Sequence, residues 1–297
     1  MSELRVFGVE GLPEVREGDK IGELIAERAD VQGGDIVVIS QKIVSKAEGR
    51  VRRLDEVEPS EKALELAKRL GKEAGLVELV LSESREVLRA ERGVLITETH
   101  HGFVCANAGI DASNLPQDGT VCLLPADPDN SARRIRTELT AAIEGLGVIP
   151  AGQQRRGSVG YHPQSPNVAV VIADSFGRAW RLGQAEVAIG CAGLAALDDW
   201  RGRQDTSGRE LSATVIAIAD EVAAAADLVR TKDEGVPAAI VRGLERYVTA
   251  DDGPGAIRHD RNQRGSPPAD RSARNTGGAE GNGRAVGSDD AVETSAA

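Results

Sequence analysis

The sequence is poor in aromatic residues, methionine, cysteine and histidine. Of its 297 residues, 2% are Phe, Trp or Tyr, and one is Met. The three cysteines, Cys105, Cys122 and Cys191, are scattered without the spacing of a metal site or a disulfide framework, which indicates a reduced, cytoplasmic protein. Four histidines do not favour a zinc site, and the adjacent pair His100 and His101 is predicted to form a turn.

Long apolar runs are also missing. No stretch approaches the roughly 18 consecutive apolar residues of a membrane-spanning helix. Residues 1–5 lack the basic start and apolar core of a secretory signal. The net charge is −11 and the pI is about 5.0, so the chain does not present the basic face that nucleic-acid phosphate requires. We expect an acidic cytoplasmic protein that binds neither membranes nor nucleic acid.

Lysine is scarce as well, with seven lysines against 29 arginines. Two explanations remain open. An acidic, arginine-rich surface suits a high-salt cytoplasm, where net charge keeps proteins soluble. A GC-rich genome also favours arginine, glycine and alanine codons. With so few lysines, those in patterned positions are worth weighing one by one.

The composition divides the chain into a domain and a tail. Residues 1–250 have the apolar patterning of a globular domain. Residues 251–297 are mostly Gly, Ser, Asn, Arg, Asp and Pro, which cannot bury enough surface to offset chain entropy, so we expect a disordered tail. Within the domain, the polar stretch 147–167 is predicted to be an exposed insertion loop.

The apolar periodicity predicts a mixture of strands and helices. Because these do not alternate in a regular βαβ rhythm, the pattern favours an α+β fold over a doubly wound sheet. Segments 77–84 and 94–97 fit a helix or a strand equally well. The predicted strands are 5–9, 35–40, 168–173 and 236–241, and the predicted helices are 21–29, 61–70, 131–145 with Ser131 as its cap, and 211–229.

Common catalytic motifs are missing from the sequence. It contains no Walker loop, no G-x-G-x-x-G after a strand, no H-E-x-x-H and no G-x-S-x-G. It offers instead carboxylates and amides beside glycines at the ends of apolar segments. Asp111 and Asn114, three residues apart after Gly109, can point to one side of a turn. An Asx turn or a helix cap explains the same pattern, and spacing alone favours that reading.

Three further features could have a catalytic or binding role. Asp174 and Ser175 follow a buried apolar run, where a rigid carboxylate could hold Mg²⁺ or Mn²⁺; a carboxylate that caps a helix is the equal alternative. Lys46 could contact phosphate or be ordinary surface charge. The polar stretch 197–210 could grip a substrate carboxylate, but its adjacent acids slightly favour an ion-pair network at a subunit contact.

Taken together, the motifs resemble one family, the coenzyme F420:L-glutamate ligases, also called F420 gamma-glutamyl ligases. Each motif is weak alone, but the ordered set is specific and extends over about residues 4–248. The matching stretches are 8–13 (GVEGLP), 34–38 (GDIVV), 45–50 (SKAEGR), 107–114 (NAGIDASN), 125–129 (PADPD), 174–178 (DSFGR), 199–202 (DWRG), 208–211 (GREL) and 235–237 (GVP).

The resemblance implies a GTP-dependent ligase. Such an enzyme adds L-glutamate to the lactyl carboxylate of the deazaflavin coenzyme F420 precursor, and then adds another through a gamma linkage. Members use Mg²⁺ or Mn²⁺, with two ions per site suspected, and are stimulated by K⁺. Their fold is an α+β mixed-sheet fold that forms an intertwined homodimer. Two alternatives stay open: a glutamate ligase that acts on another cofactor carboxylate, and a non-catalytic module that binds GTP and metal.

The resemblance also implies roles for individual residues. Asp111 and Asp174 match the ligands of one metal, and Ser175 matches a contact to a second, for which Asp233 or Glu234 supplies a further ligand. Asp111, Asp174 and Lys46 are the expected catalytic residues. The segment 230–236 departs from the family in lacking glycine before Gly235. The expected GTP contacts are Leu12, Pro13, Glu14, Val15, Gln41, Lys42, Lys46, Asn114, Arg230, Thr231, Lys232, Asp233, Glu234, Gly235 and Val236.

Overall fold

The computed structural model describes residues 3–113, 115, 117–146, 167–178, 181–231, 233–253 and 255. In chain order the strands are β1 (Arg5–Gly8), β2 (Ile36–Ser40), β3 (Val51–Arg53), β4 (Ser84–Glu91), β5 (Val94–Thr99), β6 (Val104–Ala106), β7 (Thr120–Cys122), β8 (Ala169–Gly177), β9 (Gln184–Ala192), β10 (Asp198–Asp199), β11 (Val215–Ile216) and β12 (Ala238–Arg242). The helices are α1 (Ile21–Ala26), α2 (Gln41–Ala47), α3 (Glu61–Leu70), α4 (Ala74–Ser82), α5 (Pro128–Gly145) and α6 (Ile218–Asp227).

The centre of the fold is a five-stranded mixed sheet in the order β1-β12-β2-β8-β9. Strands β2 and β8 run parallel, and the other neighbours in this sheet run antiparallel. Their register pairs Ile36 with Ala169 and Ser40 with Ala173, so both strands run toward the same edge of the sheet, and β8 continues past the end of β2 to Gly177. Their apolar halves are buried on both faces, as continuous apolar runs predict. The mixed sheet confirms the predicted α+β class.

Helices cover both faces of this sheet. Side chains alternate along a strand, so Val37 and Ile39 of β2 pack on one face with α1 and α5, while Ile36 and Val38 pack on the other face with α6. The two cores fix the central strands from both sides. Helix α2, which directly follows β2, is therefore attached to a rigid support, and so are the loops at the same edge of the sheet.

Helices α1 and α5 approach closely at Gly22. A Cβ atom there would lie 2.5 Å from the Leu139 backbone nitrogen and 2.6 Å from the Ile135 carbonyl oxygen. Because both contacts are backbone atoms, Gly22→Ala is expected to force the helices apart and lower the free energy of unfolding by about 1–3 kcal/mol in urea. Gly145→Ala is the control, since a Cβ at Gly145 meets nothing within 4 Å. Equal stability of the two variants would contradict this packing.

A smaller lobe is built from β4, β5 and β6 with α3 and α4. Helix α3 is the predicted one: the Ser60 hydroxyl accepts a hydrogen bond from the Ala63 N–H at 3.3 Å, and Gly71 ends the helix with φ 64°. The structure also decides the two ambiguous segments. Most of 77–84 belongs to a helix, and 94–97 belongs to a strand.

Three predicted helix boundaries are wrong. The helix expected over 21–29 ends at Ala26. The helix expected from Ser131 begins at Pro128, because the Asp127 carboxylate accepts a hydrogen bond from the Asn130 N–H at 3.0 Å and proline fits the first turn. The helix expected over 211–229 is confined to α6, and Val215–Ile216 forms strand β11 against β10 instead. The residues before α6 include Thr214 and Val215, whose β-branched side chains favour extended backbone.

Two predicted segments lie mostly outside the described residues. Of the insertion loop 147–167, the structure describes residue 167, and of the tail it describes 251–253 and 255. In the part of the chain that is described, no helix has both the length and the apolar character needed to cross a bilayer.

Candidate active site

A cleft of about 770 Å³ opens where β2 and β8 end. Ser40 closes β2 on one side, and residues 174–177 of β8 form the neighbouring wall. The carboxyl ends of adjacent parallel strands are a common place for ligands in α/β proteins. Predicted site residues from several separate segments contribute to the wall: Leu12, Pro13, Glu14, Val15, Lys42, Lys46, Asp111, Asp174, Ser175, Arg230, Thr231, Asp233, Gly235 and Val236.

Four predicted nucleotide contacts are not among the wall residues. Gln41 is fully buried, and its Oε1 accepts a hydrogen bond from the Ser45 hydroxyl at 3.0 Å. Glu234 is exposed and does not line the cleft, although the neighbouring Asp233 does. Asn114 and Lys232 lie outside the described residues.

Asp111 is held by a short polar turn. Its Oδ1 accepts a hydrogen bond from the Ser113 N–H at 2.7 Å, and its Oδ2 accepts one from the Ser113 hydroxyl at 3.0 Å. The Lys42 ammonium lies 2.9 Å from the same Oδ2. Burial opposes the charge, but the Ser113 hydrogen bonds and Lys42 outweigh it and hold the pKa of Asp111 below its ordinary value. Asp111 is therefore an Asx-type turn residue and, at the same time, a carboxylate on the cleft.

Asp174 has the opposite electrostatic setting. It lies within β8, paired across the sheet with Val187, because the strand runs on to Gly177 instead of ending before Asp174 as expected. Burial and the nearby charge of Glu186 raise the pKa of Asp174 to about 7. The charge of Asp111 acts on Asp174 in the same direction, which places the two carboxylates within electrostatic reach of each other.

The donor set of the cleft suits a hard divalent cation. Asp111 and Asp174 offer carboxylate oxygens and Ser175 offers a hydroxyl, and a cation would relieve the cost of ionising Asp174. No group of three or more His, Cys, Asp or Glu side chains among the described residues converges as a ready-made cage. Such a site suits Mg²⁺, which uses one or two carboxylates and fills its remaining positions with water and substrate phosphate.

Lys42 and Lys46 reach the cleft from α2. Lys46 lies in this helix one turn after Lys42. Lys42 Nζ donates to the Ser113 hydroxyl at 2.7 Å, and Lys46 Nζ lies 2.6 Å from Glu14 Oε1. Their side chains are 18% and 10% exposed, so both ammonium groups are held at the wall and do not extend into solvent.

The cleft wall also contains Glu186, Asp227 and Gln184, which were not predicted from the sequence. Glu186 is 7% exposed and lies directly across the β8–β9 pairing from Ser175. The Ser175 hydroxyl donates to Glu186 Oε1 at 2.6 Å, and Arg230 Nη2 donates to Glu186 Oε2 at 2.8 Å. The cross-strand partner of Ser175 could have been found only by pairing 184–192 with β8.

The charge of the cleft favours cations. Its described wall carries more carboxylates than basic groups, so a triphosphate would be repelled unless positive charge entered with it. Divalent cations supply that charge. The carboxylates are those of Glu14, Asp111, Asp174, Glu186, Asp227 and Asp233, and the basic groups are those of Lys42, Lys46 and Arg230.

Comparison with known families identifies the chain. Residues 11–149 and 163–243 match the family described as F420-0:gamma-glutamyl ligase. The chain belongs to this family. The match includes the cleft residues on α2, the 111–113 turn, β8 and the 230–236 segment.

Curated relatives of this ligase family cover most of the chain. The coenzyme F420:L-glutamate ligase of Methanothermobacter thermautotrophicus is 45% identical over 81% of this chain and 89% of that protein. The Archaeoglobus fulgidus protein of the same name is 44% identical, over 81% and 88%. The Haloarcula marismortui protein of that name is 42% identical, over 82% and 88%.

For this family member, the raised pKa of Asp174 predicts a pH-dependent stability. A carboxyl whose pKa is higher in the folded protein binds its proton more tightly there than in the unfolded chain. The Asp174 contribution to the free energy of unfolding of metal-free protein is therefore complete below about pH 4 and declines as the pH rises to about 7. Allowing for solvent screening, we expect a loss of roughly 1–2 kcal/mol.

Urea unfolding at pH 5 and pH 8 in the presence of a chelator measures this loss. The Asp174→Asn variant removes the titrating group, so the wild type should lose more stability than the variant between the two pH values. An identical loss in both proteins would contradict the raised pKa.

Proposed function

We propose that this chain is a GTP-dependent ligase that adds L-glutamate to the coenzyme F420 precursor, first at the lactyl carboxylate and then through a gamma linkage. One observation supports the proposal most strongly: predicted residues from segments far apart in the sequence line a single cleft. The names of the curated relatives supply the substrate class.

A carboxylate is a poor electrophile, so amide formation needs an activated oxygen. In the proposed reaction a carboxylate oxygen of the acceptor attacks the γ-phosphorus of GTP, and the bond from that phosphorus to the GDP oxygen breaks. The product is an acyl phosphate. The amine of L-glutamate then attacks the carbonyl carbon, loses a proton and displaces inorganic phosphate. The products are the glutamyl amide, GDP and phosphate, and no covalent enzyme intermediate is required.

The protein contributes positioning and charge. Lys46 and Lys42 contact phosphate oxygens in the proposal, because their ammonium groups lie at the wall of the cleft and phosphoryl transfer depends on stabilising oxygen charge. Asp111 and Asp174 hold one metal ion, and Ser175 with Asp233 contacts a second. Mg²⁺ or Mn²⁺ bound there would neutralise charge on the transferred phosphoryl group.

Mass spectrometry tests the proposed reaction. The protein is incubated with GTP, Mn²⁺, K⁺, L-glutamate and the F420 precursor, and the product should gain the mass of one glutamyl group and then of a second. GDP release should depend on the acceptor. Asp111→Asn should fold normally and form no product. Turnover with a folate-like acceptor alone would indicate a different ligase, and nucleotide binding without phosphate release would indicate a binding module.

We also propose that the active form is an intertwined homodimer. Val94 and Val104, on the sheet of the smaller lobe, are 44% and 43% exposed, and covering such apolar side chains would favour association. Light scattering coupled to size-exclusion chromatography should give about twice the 31.2 kDa chain mass. A single-chain mass at assay concentration would exclude the dimer.

A further inference from the structure

A buried ion pair joins three segments of the cleft wall. Arg230, in the segment after α6, is 6% exposed, and Glu186 of β9 is 7% exposed. Arg230 Nη2 donates to Glu186 Oε2 at 2.8 Å, while the Ser175 hydroxyl of β8 donates to Glu186 Oε1 at 2.6 Å. Each oxygen of the Glu186 carboxylate is therefore engaged by a different neighbour.

This arrangement fixes the direction of the Ser175 hydroxyl. A serine hydroxyl carries one proton and two acceptor lone pairs, and it rotates to suit its surroundings. Because the proton is directed at Glu186, the lone pairs of Ser175 point elsewhere and are free to accept. Asp174 precedes Ser175 on the same strand, and both residues line the cleft.

The buried pair is not explained by stability alone. Taking two charges out of water costs free energy that the ion pair only partly returns. Arg230 is also incompletely satisfied, since its Nε and Nη1 atoms are buried without a hydrogen-bond partner in the described structure. A guanidinium buried for stability normally satisfies its donors. The position of Arg230 beside the cleft is better accounted for by its hydrogen bond to Glu186.

We infer that Glu186 is a positioning residue that orients the Ser175 hydroxyl as a ligand for a divalent cation, and that Arg230 holds the Glu186 carboxylate in place. This inference rests on the proposed function, because it concerns the second of the two proposed metal ions, the one that Ser175 contacts. Glu186 acts through Ser175, whose hydroxyl it orients by accepting its proton. Groups that orient a metal ligand in this way typically change metal affinity about 10–100-fold when they are replaced.

Mn²⁺ titration followed by electron paramagnetic resonance, with and without a non-hydrolysable GTP analogue, tests the inference. Glu186→Gln should weaken Mn²⁺ binding about 10-fold or more, because the amide cannot accept from both Ser175 and Arg230. It should also lower Tm, since Arg230 is left buried without a counter-charge. Asp55→Asn is the matched control: Asp55 pairs with Arg53 at the surface and does not line the cleft, so Mn²⁺ affinity should not change.

The double variant Glu186→Gln/Arg230→Met separates positioning from stability. Removing both charges should restore Tm toward the wild-type value while Mn²⁺ binding stays about 10-fold weak. Arg230→Met alone should also weaken Mn²⁺ binding. Arg230→Lys, which keeps the positive charge, should weaken it less. If Mn²⁺ affinity returns together with Tm in the double variant, Glu186 is merely structural and the inference is wrong.

Failure of the positioning role and failure of the proposed function give different results in these titrations. If the wild type binds Mn²⁺, Asp174→Asn loses it and both Glu186 variants keep full affinity, the positioning role is wrong and the metal site stands. If the wild type binds no Mn²⁺ under either condition, the metal site and the inference are both overturned.

Discussion

Asp174→Asn is expected to lower Mn²⁺-dependent ligation by roughly 10²–10³-fold without unfolding the protein. A divalent cation contributes several kcal/mol of charge stabilisation to phosphoryl transfer, and each 1.36 kcal/mol corresponds to tenfold in rate. An amide cannot replace a carboxylate charge beside the cation. Burial and Glu186 make ionisation of Asp174 costly, so removing the charge should also stabilise the metal-free protein above pH 7.

Product formation and thermal unfolding check this expectation together. In the wild type, Mn²⁺ should raise Tm through preferential binding to the folded state; in Asp174→Asn it should not. Asp55→Asn is a suitable control because Asp55 pairs with Arg53 at the surface and is not part of the cleft. Full activity in Asp174→Asn, or a Tm increase with Mn²⁺ equal to that of the wild type, would remove Asp174 from the site.

Lys46→Met is expected to have the second-largest effect, a loss of roughly 10²–10³-fold in ligation. The Lys46 side chain is 10% exposed and its ammonium faces Glu14 at the cleft wall, so methionine keeps the apolar part of the side chain and removes its charge. GTP should bind more weakly, and the remaining affinity should depend less on ionic strength.

A fluorescent GTP analogue measures the binding part of this effect. Lys68→Met is the control, since Lys68 is an exposed residue of α3 outside the cleft. If Lys46→Met binds and turns over GTP as well as Lys68→Met does, phosphate recognition must be assigned to other groups.

The sequence predicted the parts of the fold that local patterns determine. Strands β2 and β8 were found because their apolar halves are continuous and β-branched. Strand β9 was missed because its buried half, Ala188–Ala192, is mostly small residues without strong strand preference. Helix α2 was missed because its seven residues make only about two turns, too few to establish a helical period.

The candidate site, like the fold, was predicted where the signal lies in the local sequence and was missed where it depends on contacts between distant segments. Asp111, Asp174 and Lys46 were selected because they lie near glycines or at the ends of apolar runs, and all three line the cleft; the family resemblance supplied their predicted roles. Glu186 was missed because its proximity to Ser175 depends on the register between β8 and β9. The burial of Arg230 could not be predicted either, because it is set by the packing of the segment after α6 on the sheet.

The central claim is that Asp111 and Asp174 converge on one divalent cation beside a triphosphate. Anomalous diffraction from crystals soaked with Mn²⁺ and a non-hydrolysable GTP analogue tests it most directly. The account predicts a manganese peak within about 2.0–2.3 Å of an oxygen of each carboxylate, with a phosphate oxygen in the same coordination sphere. A manganese peak bound by only one of the two carboxylates, or nucleotide seated away from this cleft, would contradict it.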